Sequence, residues 1–370
     1  MSDELFYALA LRFIKGIGDA NAKTIVSYVG SFEKIFKTPV SKLQKIAGVG
    51  PKTAELFRDT AEAFDAAKKE LKRIEKNEIK AVFYFDKCYP QRLLQCPDAP
   101  FMLFYKGDVR FNESKYVSII GTRNNTEYGR MLTKKLVADL ATHEIHVVSG
   151  LAYGIDSIAH REALKYNIQN IAVLGHGLDK IYPFVHRKLA EQLQQRGAIV
   201  SEFLCETLPD KQNFPKRNRI VAGMTDCTIV VESGLQGGAM ITAELANSYN
   251  RDVCAYPGNV NLPYSMGCNA LIRQNKAHLV TSAEDILDLM GWKTKEDKKI
   301  NKKNTTPQLF VELNEHEQMI LAILQKQEKI HIDDLCLQIP FSQSILSAGL
   351  LTLEMKNCIQ TLPGKMYKVM

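Results

Sequence analysis

Along the first part of the chain apolar residues recur three and four positions apart, the period of a helix buried on one face. From about residue 80 the pattern changes to short, unbroken apolar runs separated by helical stretches. A preliminary strand pair, "KAVFYF" and "FMLFYKGD", is followed by "YVSII", "IHVVSG", "IAVLG", "AIVSEF", "CTIVVESG", "DVCAYPG" and "HLVTS". Strands that are apolar on both sides need cover on both faces, so the pattern predicts an α/β fold, an extended Rossmann-like, doubly wound and mostly parallel sheet over roughly 76–290. Residues 1–75 read as a separate helical domain. A lysine-rich linker is expected over 291–308, where "KTKEDKKINKKNTTPQ" has almost no apolar residue to bury. Helices and a terminal hairpin turning at Pro363 and Gly364 then predict a winged helix over 309–370.

The helical domain contains an internal echo, "GIGDANAKTIV" at 16–26 and "GVGPKTAELF" at 48–57. Each is a glycine turn leading into a helix, as in a helix-hairpin-helix pair (a SAM-like arrangement). Such turns can hold a nucleic-acid phosphate on backbone N–H groups, with Lys23 and Lys52 nearby for charge. They can equally do no more than let two helices pack closely, and the residues leave both readings open.

Composition narrows the classes. The chain has 370 residues, 45% of them hydrophobic and 24% charged, which is ordinary for a globular protein of two or three domains. No apolar run reaches the roughly 18 residues of a membrane span, and the first residues lack the basic stretch of a signal peptide, so a cytoplasmic protein with no membrane partner is expected. The eight cysteines are scattered without a C-x-x-C pair, which points to reduced, mostly buried thiols and to no metal. The net charge is +7, but residues 111–290 carry 18 Lys+Arg against 18 Asp+Glu, so a basic surface there must be local.

Candidate chemistry gathers at the strand ends. Ligands of a doubly wound sheet bind beyond the carboxyl ends of its strands, where glycine lets backbone amides approach a phosphate. Gly121, Thr122 and Arg123 follow one strand, Ser149 and Gly150 another, and "LGHG" at 174–177 and "ESGLQGGAMITAE" at 232–244 two more. The spacing is neither G-x-G-x-x-G with a distal acid nor a P-loop, so no nucleotide cofactor is expected. "DKQNFPKRNRIVAGMTD" lies on the same rim. With a helix starting near Pro215, Arg217 shares a side with Val221 and Met224 while Lys216 and Arg219 turn away, so the three cations do not share one face. Arg217 can be a structural arginine paired with Asp226 or Glu232. Lys211, Phe214 and Lys216 are better placed for an extended anion, with Phe214 available for base stacking.

The succession "YPQRLLQCPDAPFMLFYKGD", "IIGTRNNTEYG", "VSGLAYGIDSIAH", "VLGHGLDKIYP", "FPKRNRIVAG" and "ESGLQGGAMITAELA" closely resembles the DNA-processing protein A family, DprA, also called Smf. The resemblance implies a protein that is not an enzyme. It would bind and protect single-stranded DNA, load the RecA recombinase onto it in natural transformation, and form a homodimer. By position it implies an anion pocket of Arg123, Lys211 and Phe214, with Gly121, Thr122, Ser149, Gly150, Arg217, Asn218 and Arg219 beside them. Two rivals remain in view. "GLQGGAMITAE" partly matches a nucleotide phosphoribohydrolase signature in which Glu244 would be catalytic, and the winged helix could bind duplex DNA as a regulator. A Ser149, Asp156 and His160 hydrolase lacks the G-x-S-x-G elbow that would present its nucleophile.

Overall fold

The computed structural model describes residues 3–112, 115–293, 313–325, 327, 329–356, 358–362 and 364–369. Six helices open the described chain: α1 (Asp3–Phe13), α2 (Asp19–Val29), α3 (Phe32–Lys37), α4 (Val40–Leu43), α5 (Pro51–Glu55) and α6 (Ala61–Lys76). The first glycine turn caps α2 with Gly18 and the second caps α5 with Gly50. After β1 (Lys80–Phe83), α7 (Gln91–Leu94) and β2 (Met102–Gly107), strands and helices alternate. They are β3 (Lys115–Ile120), α8 (Glu127–Ala141), β4 (Ile145–Ser149), α9 (Ile155–Lys165), β5 (Asn170–Val173), α10 (Arg187–Gln195) and β6 (Gly197–Ser201). There follow α11 (Asn213–Gly223), β7 (Cys227–Val230), α12 (Gly238–Ser248), β8 (Asp252–Ala255), α13 (Met266–Arg273), β9 (His278–Leu279) and α14 (Ala283–Leu289).

Among the described residues nine strands form one sheet in the order β1-β2-β6-β5-β4-β3-β7-β8-β9. From β6 to β9 every pairing is parallel, while β2 pairs antiparallel with both β1 and β6. The strand order reverses between β3 and β7, and connections from these neighbours leave toward opposite edges, opening a crevice at their carboxyl ends. Successive side chains point to opposite faces and each face is covered. Val147 joins the core under α8 and α9, and Val148 joins the one under α11 and α12. That double cover is why the strands read as unbroken apolar runs.

The opening helices share a core with the antiparallel end of the sheet. Leu9, Ile25 and Phe32 share one core with Phe83, Met102 and Phe104. The chain up to Trp292 is accordingly one compact unit. Residues from Lys293 onward form a second unit, with helices at Glu315–Leu324, Ile332–Gln338 and Gln343–Met355. Its strands β10 (Ile330–His331), β11 (Ile359–Leu362) and β12 (Met366–Val369) pair antiparallel in the order β10-β12-β11, the helices-plus-hairpin pattern of a winged helix. Ile320, Leu335, Leu346 and Leu353 form its core. The linker expected over 291–308 lies beyond Lys293 outside the described residues, as does Pro363. Among the described residues no single helix is long and apolar enough to cross a membrane.

Candidate nucleic-acid interface

A cavity of about 440 Å³ opens at the carboxyl ends of β3, β4 and β7, against the start of α11. Three loops and one helix build it. The loop after β3 is tied down by Glu232, a buried carboxylate from the end of β7: Thr122 N–H donates to the Glu232 carbonyl at 2.7 Å, and Thr126 N–H and Oγ1 donate to its carboxylate at 2.9 and 2.5 Å. Thr126 also caps α8, its hydroxyl accepting from Gly129 N–H at 3.2 Å. Fixing both ends of the loop leaves the exposed Arg123 side chain at the cavity mouth, where its guanidinium lies 5.7 Å from the ring centre of Phe214. That is a cation–π distance.

The loop after β4 is held by Asp156 on α9, whose carboxylate accepts from Gly150 and Ala152 N–H at 3.0 and 3.4 Å. Two glycines are needed here for different reasons. Gly154 has φ +77°, and a Cβ there would stand 2.2 Å from the Thr122 carbonyl oxygen. A Cβ at Gly150 would stand 2.2 Å from Arg217 Nη1, so Gly150 is the space through which the arginine reaches the strand ends.

Arg217 is 5% exposed. Its Nη1 donates to the Gly150 carbonyl at 2.5 Å and also to the Val173 carbonyl. Burial and the neighbouring Arg123 bring its pKa down to about 10 while Asp156 holds it up, so it remains a cation at neutral pH. Burial raises the Asp156 carboxyl above its ordinary value, and Arg217 opposes that. The structural role expected for Arg217 is present, but its partners differ. Asp226 stands before β7, at the far end of the sheet, where it binds Arg92 Nε at 2.6 Å and Tyr116 N–H at 3.0 Å. Glu232 is taken up by Thr126.

Gly121, Thr122, Arg123, Gly150, Phe214, Arg217 and Asn218 therefore meet around one cavity. Asn218 Nδ2 donates to the Gly238 carbonyl at 3.2 Å, tying α11 to the start of α12. The other sequence candidates lie elsewhere. Ser149 is fully buried and donates its hydroxyl to the Ile119 carbonyl inside the sheet at 2.7 Å. Lys211 is exposed and does not line the cavity. Lys216 and Arg219 occupy the opposite flank of α11, in a crevice of about 460 Å³ shared with Arg12, Asp19, Asp98 and Glu202. Arg219 binds the Glu202 carboxylate and the Asp98 carbonyl there. A helix turning about 100° per residue separates positions 217 and 219 by more than half a turn, which is the physical reason for the split. Among the helical-domain cations, Lys23 donates to the Ala99 carbonyl at 2.8 Å and is engaged within the fold.

The residues of the enzyme rivals do not converge. Glu244 is exposed on α12 and pairs with Lys276 at 3.4 Å, away from the cavity. His160 is fully buried with Nδ1 2.5 Å from Asn170 Oδ1, and burial pushes its pKa down to about 4. Neither Ser149 nor Asp156 is its hydrogen-bond partner. Sequence reasoning missed Ser233, Gln236, Thr242 and Tyr264 in the cavity wall. The first three fall in a glycine-rich stretch that was visible, whereas Tyr264, which accepts from Asn124 Nδ2 at 3.2 Å, comes from a loop with no distinguishing pattern.

Comparison with known proteins bears on the same segments. The family model for DNA recombination-mediator protein A matches residues 80–291, that for a SAM-like helix-hairpin-helix tandem 8–62, and that for the DprA winged helix domain 304–365. Protein Smf of Synechocystis sp. is 35% identical over 297 residues, covering 78% of this chain and 73% of the relative. The X-ray structure of DNA processing protein A from Streptococcus pneumoniae superposes with a TM-score of 0.66 at 30% identity, over 78% of this chain and 98% of that one. DNA processing protein A from Helicobacter pylori, solved for its single-stranded DNA binding mode, gives 0.53 at 29% identity over 58% and 95%. With a matching model over more than half its length and the helical and winged-helix segments matched as well, the chain belongs to the DprA/Smf family of DNA recombination-mediator proteins.

Proposed function

We propose that the chain binds single-stranded DNA in the cavity at the β3, β4 and β7 strand ends, protects it, and passes it to the RecA recombinase in the cytoplasm, acting as a homodimer without catalysis. The observation that carries the reading is the pairing of an exposed arginine, Arg123, with a half-buried ring, Phe214, over a cavity whose inner wall holds the cationic Arg217. An ammonium or guanidinium meets the phosphate and a ring face meets the base, and neither reads sequence. The single-stranded DNA binding of the Helicobacter pylori relative supports the same assignment. Lys211, exposed just ahead of α11, would extend the phosphate path.

The test is binding of a fluorescent oligothymidylate across a salt series. Arg123→Ala and Lys211→Glu are each expected to weaken binding by about tenfold, the worth of a charge-assisted contact, and to flatten the log–log salt slope by about 0.7 per lost phosphate contact. Unchanged affinity and slope in both variants would place the strand on another surface.

A further inference from the structure

Between Lys34 and Ala54 the chain carries five lysines, Lys34, Lys37, Lys42, Lys45 and Lys52, and no acidic residue. The fold does not disperse them. The C-terminal end of α2, α3, α4 and the turn after it border a shallow groove of about 420 Å³ lined by Tyr28, Val29, Lys34, Lys37, Thr38, Lys42, Lys45 and Ile46. Four lysines thus line one opening with no carboxylate-bearing residue in its wall. Lys37 pairs with Glu33, outside the lining; among the described residues no ion pair engages Lys34, Lys42 or Lys45. These lysines are exposed, whereas the half-buried Val29 and the buried Ile46 give the groove an apolar floor.

Tyr28 adds a second, independent feature. It projects from the last turn of α2 with 64% of its surface exposed. An isolated exposed ring needs no explanation, but a ring standing among four cations offers a stacking face beside charges suited to phosphate. Like charges held together repel, a cost that an extended polyanion would relieve. The glycine turns at Gly18 and Gly50 are not part of this wall, and Lys23 is turned onto the Ala99 carbonyl.

The geometry points to a second polynucleotide-binding site on the helical segment, formed by Tyr28, Lys34, Lys37, Lys42 and Lys45, that grips the phosphate backbone of single-stranded DNA apart from the strand-end cavity. The occupant follows from the chemistry: phosphates at the ammoniums and one unstacked base against Tyr28. A lipid surface would call for a broader exposed apolar face than the floor of this groove supplies.

This inference rests on the proposed DNA binding only for the identity of the polymer, and the experiment separates the two. Full-length protein is titrated with fluorescent oligothymidylate over a range of salt, comparing wild type, Arg123→Ala, Tyr28→Ser, and the double variants Lys42→Gln/Lys45→Gln and Lys42→Arg/Lys45→Arg. Loss of two phosphate contacts should flatten the salt slope by about 1.4 in the glutamine pair, with the arginine pair near wild type. Tyr28→Ser should weaken binding severalfold with the slope unchanged. A glutamine pair and a Tyr28→Ser variant that both bind as wild type, at every salt, overturn the second site even when Arg123→Ala binds poorly. Effects at the lysines with none at Arg123 would instead sustain this site and remove the strand-end reading.

Discussion

At the scale of single residues, the two arginines of the strand-end cavity do different work despite touching the same space. Arg217 is walled in between the Gly150 and Val173 carbonyls and faces Asp156. Removing it leaves a buried carboxylate and two carbonyl groups without their cation, so Arg217→Ala should cost about 3–5 kcal/mol in urea unfolding. Arg123 is exposed and its guanidinium lies against the Phe214 ring, and its loss should move stability by less than about 0.5 kcal/mol while weakening DNA binding. Equal stability losses in both variants would refute this division. His160 provides a pH signature. An unfolded histidine titrates near 6.5, whereas burial pushes folded His160 down to about 4. As pH falls through 6.5 the unfolded chain takes the proton first, and stability should decline until about pH 4, by at most about 3 kcal/mol. Asp156, whose folded pKa is raised, acts in the opposite direction. The informative quantity is therefore the stability margin of wild type over His160→Gln, which should narrow as pH drops across that window.

At the scale of elements, the cavity depends on how loops are pinned to helix starts. Thr126 serves two masters, the first turn of α8 and the Glu232 carboxylate. Thr126→Ala should lower stability by about 1–2 kcal/mol, as loss of a helix cap does, and should weaken oligonucleotide binding as well, because the same hydroxyl fixes the loop that carries Arg123. A variant that unfolds earlier yet binds normally would show that the cap and the loop are independent. The parallel strands were legible because a sheet covered on both sides demands continuous apolar runs. The division of cations along α11 was legible too, since helical periodicity separates positions 217 and 219. The partners of Arg217 were not. They are backbone carbonyls from β5 and the loop after β4, and a carbonyl has no sequence signature. Nor could periodicity show that α11 begins at Asn213, two residues before Pro215, which the first turn tolerates because its N–H groups have no helical acceptor. Tyr264 was invisible for a related reason: its place in the wall is set by the path of a loop.

At the scale of the whole molecule, one apolar core runs from Leu9 and Phe32 of the opening helices into Phe83, Met102 and Phe104 of the sheet. Truncation to residues 76–292 should therefore expose these side chains and yield an aggregating product, whereas residues 1–292, which keep the shared core whole, should stay soluble. Comparable solubility of the two fragments would contradict that asymmetry. The shared core also gives α11 an unusual position. Arg217 anchors one flank of this three-turn rod to the strand ends, and Arg219 anchors the other to Glu202, which Arg12 of α1 also approaches. Because both flanks are tied, α11 cannot shift toward or away from the cavity without disturbing either the Arg217 contacts or the Arg219–Glu202 pair, so the cavity wall and the docking of the opening helices share one rigid element.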